Sequence, residues 1–115
     1  MAFTKEELRN IESTLLLWLA TNRPEEEIRD KVDFGYTIKG REIFLEEIQP
    51  IWNHPSEKMR NAFAKVKFEK TNQAWKIYWM RGNLKWNLYD PKPSVESLDF
   101  ALDEIMRDPH HCFFG

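Results

Sequence analysis

Residues 62–89 read AFAKVKFEKTNQAWKIYWMRGNLKWNLY, and the dominant period within this stretch is two. Ala62, Ala64, Val66 and Phe68 alternate with Phe63, Lys65, Lys67 and Glu69. Trp75, Ile77 and Trp79 alternate with Lys76, Tyr78 and Met80, and Leu84, Trp86 and Leu88 alternate with Lys85, Asn87 and Tyr89. Side chains on a strand point to opposite faces in turn, so each run predicts a half-buried strand, and Gly82-Asn83 between the last two predicts a hairpin.

The same pattern extends toward the N-terminus. Val32, Phe34, Tyr36 and Ile38 oppose Asp33, Gly35, Thr37 and Lys39; Gly40 then turns the chain into a strand over 42–49 that carries Ile43 and Leu45. Pro50 should end that strand or hold it at an edge, and 53–56 (Asn-His-Pro-Ser) reads as a loop before a third strand at Ala62. Both ends of the chain are helical in period. Thr4 with Glu7 three residues later is a capping box, and Leu8, Ile11, Leu15, Trp18 and Leu19 share one face. The spacing predicts a helix over 5–20, stopped by Asn22-Arg23-Pro24. Pro24 and three glutamates predict a short further helical turn over 25–30. Asp90-Pro91-Lys92-Pro93 leaves the sheet, and Ser94 is expected to cap a last helix with Val95, Leu98, Ala101, Leu102 and Ile105, ended by Asp108-Pro109.

The fold class that follows is α+β: an antiparallel sheet of four or five strands with the N- and C-terminal helices packed on one face, a two-layer sandwich in a single domain of 115 residues. With 42% hydrophobic, 14% aromatic and 31% charged residues, the composition excludes disorder and a membrane-embedded chain, and predicts a soluble domain. Charge appears from Lys5 onward and the longest apolar run is only 15–20, so neither a signal peptide nor a membrane span is read. One cysteine, Cys112, cannot form an intramolecular disulfide, and a cytoplasmic location is expected.

Net charge is −2, but it is distributed unevenly. Residues 1–55 hold 7 basic against 11 acidic residues (−4), 56–92 hold 9 against 3 (+6), and 93–115 hold 1 against 5 (−4). The basic middle also carries seven of the sixteen aromatic residues. If its strands are neighbours, Lys65, Lys67, Lys76, Tyr78, Lys85 and Tyr89 emerge together on the helix-free face. Ammonium groups bind phosphates and rings stack on exposed bases, so this face suits single-stranded nucleic acid. Two other readings use the same residues. Lysines coat ordinary solvated sheet faces and discourage edge pairing. The apolar members Phe63, Tyr78, Met80 and Tyr89 equally suit a protein interface or a homodimer with a lysine rim.

Other constellations point to chemistry less strongly. His110, His111 and Cys112, with His54 upstream, have metal-ligand atom types, but adjacent side chains rarely meet at one ion, and a cysteine nucleophile would need a base placed by the fold. Asp33, Glu42, Glu46 and Glu47 could hold magnesium or share acid and base duties in a small hydrolase or nuclease. The Glu-x-Lys or Gln-x-Lys tripeptide of a restriction-type nuclease core occurs nowhere, so these carboxylates read better as strand-surface charges pairing with neighbouring lysines. No phosphate-binding glycine loop or hydrolase motif is present. No cofactor and no catalytic residue are expected. The tryptophans at 18, 52, 75, 79 and 86 read as core, with Trp52 the one expected to be partly exposed, and the terminal Phe113-Phe114 should fold back onto the domain or dock on a partner.

Arg23-Pro24, the run 28–36 (IRDKVDFGY), 48–52 (IQPIW), 75–81 (WKIYWMR), Leu84-Lys85-Trp86 with Tyr89, and the closing 112–115 (CFFG) together resemble the small bacterial family called domain of unknown function 3024. The resemblance covers nearly the whole chain. It implies a stand-alone bacterial domain and carries no reaction, partner or catalytic residues with it.

Overall fold

The computed structural model describes residues 3–114 and places an open antiparallel sheet under two helices. Helix α1 is Lys5–Asn22, and the strands are β1 (Asp33–Lys39), β2 (Glu42–Ile51), β3 (His54–Glu69), β4 (Ala74–Met80), β5 (Trp86–Leu88) and β6 (Ser94–Val95), followed by α2 (Leu98–Arg107). Strands β1 to β4 follow in sequence order, and β5 and β6 share the outer edge of β4. No described helix is long and apolar enough to cross a membrane.

The capping box forms as read: Glu7 N–H donates to Thr4 Oγ1 (3.1 Å) and Thr4 N–H to Glu7 Oε1 (2.8 Å). From α1, Ile11, Leu15 and Trp18 enter the core. They meet the inward rows of the sheet, in which Ile43, Leu45, Ala64, Val66 and Ile77 are fully buried, and Leu98, Ala101, Leu102 and Ile105 of α2 complete the layer. The α+β sandwich expected from the alternation is therefore the fold, with its strands extended to six.

Four expectations are corrected. Residues 25–32 form hydrogen-bonded turns, with Ile28 N–H to the Glu25 carbonyl and Lys31 N–H to the Ile28 carbonyl, and no helix. Ser94 caps nothing; it pairs with Lys76 in β6, and Ser97 is the N-cap of α2, accepting from Phe100 N–H. Pro93 and the extended Val95 keep the chain in β geometry for three more residues.

The third correction concerns 53–56. There is no loop: β2 and β3 turn directly at Trp52-Asn53, with Ile51 opposite His54. Pro50 and Pro55 are tolerated because this end of the hairpin extends past the last paired residues of β1 (Asp33 opposite Ile48) and β4, leaving both outer edges unpaired. The resulting arm gives the molecule extents of 45 × 32 × 24 Å and a radius of gyration of 14.5 Å, against about 13 Å for a compact chain of this length.

The fourth correction is a register slip. A two-residue turn at Gly82-Asn83 would set Trp86 opposite Trp79. The chain instead turns through 81–85, with Leu84 at φ +61° and Leu84 N–H bonded to the Arg81 carbonyl, and Met80 faces Trp86 while Tyr78 faces Leu88. One residue of slip turns every side chain of a strand to the other face. Trp86 and Leu88 therefore emerge on the helix-free side, and Leu84 stands in solvent. Tyr89 turns inward: it is fully buried, and its hydroxyl donates to Glu104 Oε2 of α2 at 2.9 Å.

The C-terminal tail folds back. Asp108, at φ +44°, ends α2, and its carboxylate accepts the backbone N–H groups of Cys112, Phe113 and Phe114. Phe113 packs against Tyr89, and Phe114 against Phe63 and Phe34.

Candidate nucleic-acid interface

Register decides which side chains share the helix-free face. One row across it runs Thr37, Phe44, Lys65, Tyr78, Leu88, and the next runs Lys39, Glu42, Lys67, Lys76, Ser94. A third carries Gly35, Glu46 and Ala62. Between the Leu45–Ala64 and Glu46–Ala62 pairs, β3 has one extra residue, Phe63. This bulge changes the parity of β3, so Lys58 and Arg60 project on the same side as Lys65 and Lys67. Phe63 itself packs on Phe34 and Phe114 on the helix side, so it does not belong to the open face.

The six predicted residues fare differently. Lys65, Lys67, Lys76 and Tyr78 lie in adjacent rows of the face. Lys85 is exposed but belongs to the turn before β5 rather than to a strand. Tyr89 lies in the core and is lost to the face, for the register reason given above.

The lysines are not equally free. The Lys65 ammonium lies 3.3 Å from Glu42 Oε2 and sits over three rings, 4.7 Å from the centroid of Tyr78, 5.5 Å from Trp86 and 5.9 Å from Phe44, with its side chain only 14% exposed. Each ring presents its electron-rich face to the cation, so Lys65 holds the aromatic box together. Lys76 is bonded to Glu69 at 2.7 Å; that bond raises the lysine above its ordinary value and holds the glutamate, which also accepts from Asn72, below the usual carboxylate range. Lys67, Lys39 and Lys58 have no ion-pair partner among the described residues. Six cations of this face (Lys39, Lys58, Arg60, Lys65, Lys67, Lys76) oppose three glutamates (Glu42, Glu46, Glu69), while Asp33 is matched by Arg23 at 2.7 Å. The face is net positive by about three charges, half of what the raw composition of 56–92 indicates.

Sequence reading missed the cluster beside the box. Glu46 is 9% exposed and accepts from Thr37 Oγ1 (3.0 Å) and from Nε and Nη2 of Arg60 (2.9 and 2.7 Å). The guanidinium closely approaches Gly35 and also donates to the Tyr36 carbonyl. A Cβ at position 35 would come within 2.7 Å of Arg60 Nη2. The readable signal was Gly35 itself, since an isolated glycine inside a strand marks a close approach.

The four acidic candidates do not converge. Asp33 pairs with Arg23, Glu42 with Lys65, Glu46 with Arg60, and Glu47 projects to the other side of β2, where it accepts from Gln49. His54 begins β3 at the arm tip, whereas His110, His111 and Cys112 belong to the tail. Among the described residues no three His, Cys, Asp or Glu side chains are grouped as ligands. Burial and Asp108 push the Cys112 thiol up, so it is a poor nucleophile. A wide-open surface depression of about 480 Å³ is lined by residues such as Asn72, Lys92, Glu96 and Phe100. It contains none of these candidates.

The family model described as domain of unknown function (DUF3024) matches residues 3–115, so the chain belongs to that family. No curated protein and no solved structure matches it.

Proposed function

We propose that this chain is a non-catalytic binding domain that takes single-stranded nucleic acid across its open sheet face. The observation that supports the reading is one of register: the free cation Lys67 and the ion-paired Lys76 lie in the row directly beside the Phe44, Tyr78 and Trp86 rings that Lys65 gathers. Phosphates would be met by Lys67, Lys76 and Lys39, and bases by the exposed parts of Tyr78 and Trp86, with stacking supplying sequence-tolerant affinity. Three to four phosphate contacts on a single strand give a slope of log K against log salt of about −2 to −3.

The test is an anisotropy titration of labelled oligothymidylate at two salt concentrations. Binding at low salt with that slope, lost in Lys67→Glu/Lys76→Glu, supports the reading; absence of binding at low salt, or equal binding by the double variant, removes it. A second reading rests on Leu88, 38% exposed beside Met80 and Trp86, which gives the face an apolar spot suited to a protein partner or a second copy. It predicts a concentration-dependent dimer in sedimentation, weakened by Leu88→Glu.

A further inference from the structure

The tip of the arm holds Trp52, which is 91% exposed, more than any other large apolar side chain of the described core or surface. An indole is the side chain that burial rewards most, and here no described ring stacks on it. We infer that the arm is a second segment of the nucleic-acid site, in which Trp52 stacks on an unpaired base beyond the edge of the sheet. The inference rests on the single-strand reading above and extends it to a footprint and a residue.

Two observations choose the occupant. The first is continuity of charge. The Phe63 bulge places Lys58 and Arg60 on the side of Lys65 and Lys67, so β3 carries four cations along residues 58–67, about 30 Å at 3.3 Å per residue; Lys58 and Lys67 at its two ends are unpaired among the described residues, whereas Arg60 is bonded to Glu46 and Lys65 to Glu42. A strand stacked at about 3.4 Å per nucleotide would cover that row with about nine nucleotides, and because Pro50 faces Lys58, reaching Trp52 two residues further adds about two more.

The second observation concerns the free edge of β3, which a second copy of the chain could otherwise pair with. Among the described residues, 54–63 have no strand partner on the side away from β2. In an antiparallel pairing of two such edges centred on the arm, side chains of one face meet the same face of the copy. Lys58 would then stand opposite Lys58 or Arg60 of the copy, and Pro55 withholds a donor. The edge is guarded against its own kind by the same cations that suit a phosphate chain.

The experiment uses the full chain with labelled oligothymidylates of 8 and 16 nucleotides. Trp52→Ala is expected to weaken the 16-mer about tenfold, the worth of one stacked base, and to leave the 8-mer within twofold, while Trp52→Phe keeps most of the 16-mer affinity. The exposed position leaves folding intact, which circular dichroism checks. If Trp52→Ala binds the 16-mer as the parent does, while Lys67→Glu/Lys76→Glu abolishes 8-mer binding, the arm inference fails and the sheet-face reading stands. If the parent binds neither oligonucleotide, both fail together. If Trp52→Ala and Trp52→Phe instead abolish association with a co-purifying protein and leave both oligonucleotides unaffected, the arm is a protein-docking element and the inference is overturned.

Discussion

Gly35→Ala is a one-methyl test of how the open face is held. Position 35 is in ordinary extended backbone, where exchanging glycine for alanine should stabilise by about 0.4–1 kcal/mol through the unfolded chain. The structure predicts the opposite sign. The added Cβ would lie 2.7 Å from Arg60 Nη2 and 2.9 Å from Ile48 Cδ1, so the guanidinium must lift away and Ile48 must shift. Lifting Arg60 forfeits its two bonds to Glu46 and the one to the Tyr36 carbonyl, leaving a carboxylate that is 9% exposed with Thr37 as its remaining partner. Bonds to a charged group are worth about 1.5–3 kcal/mol, and the half-exposed Arg60 side chain recovers part of that from water. Adding about 1 kcal/mol for Ile48 and subtracting the entropic gain gives a net loss of about 1–2 kcal/mol, a drop in Tm of about 4–8 °C for a domain of this size. Urea denaturation measures it, and a double-mutant cycle tests the cause. In an Arg60→Ala background the same glycine change should cost about 1 kcal/mol less, because the guanidinium it displaces is already gone. Equal costs in the two backgrounds would refute the account, whatever the size of either.

Other consequences can be checked alongside. Asp108→Ala should cost about 2–3 kcal/mol and free the tail, because one carboxylate holds three backbone N–H groups; limited proteolysis near Phe113 and Phe114 reads the release. Leu84→Gly should raise stability by about 0.5–1 kcal/mol, since Leu84 is 81% exposed and held at φ +61°; a lower Tm would contradict the left-handed turn. Asp33 is held below the usual carboxylate range by the Arg23 guanidinium, with help from Phe34 N–H, so its contribution is complete above about pH 5 and lost as pH falls through the folded value. The stability difference between the parent and Asp33→Asn should therefore be largest near neutrality and shrink below about pH 4; a difference that grows on acidification would show the pair is not formed.

Alternation along residues 64–80 and 32–49 was enough to assign the inward rows, because a strand with one buried face has only one parity that hides Ile43, Leu45, Val66 and Ile77, whereas the bulge reversed the expected sides of Ala62 and Phe63. The capping box of α1 was equally legible, being complete within four residues. Composition exposed the basic, aromatic middle of the chain. What local pattern could not supply was anything set by one strand against another. The 81–85 turn moved β5 by one residue, sending Tyr89 inward and Trp86 outward; the Phe63 bulge brought Arg60 and Lys58 to the side of Lys65; and the short ends of β1 and β4 left β2 and β3 to run on as an arm. Both strand shifts change parity, and parity depends on hydrogen bonds made across the sheet. The amino-acid order alone therefore determined which residues alternate, and the assembled sheet decided which side each alternation faces and which charges neutralise one another there.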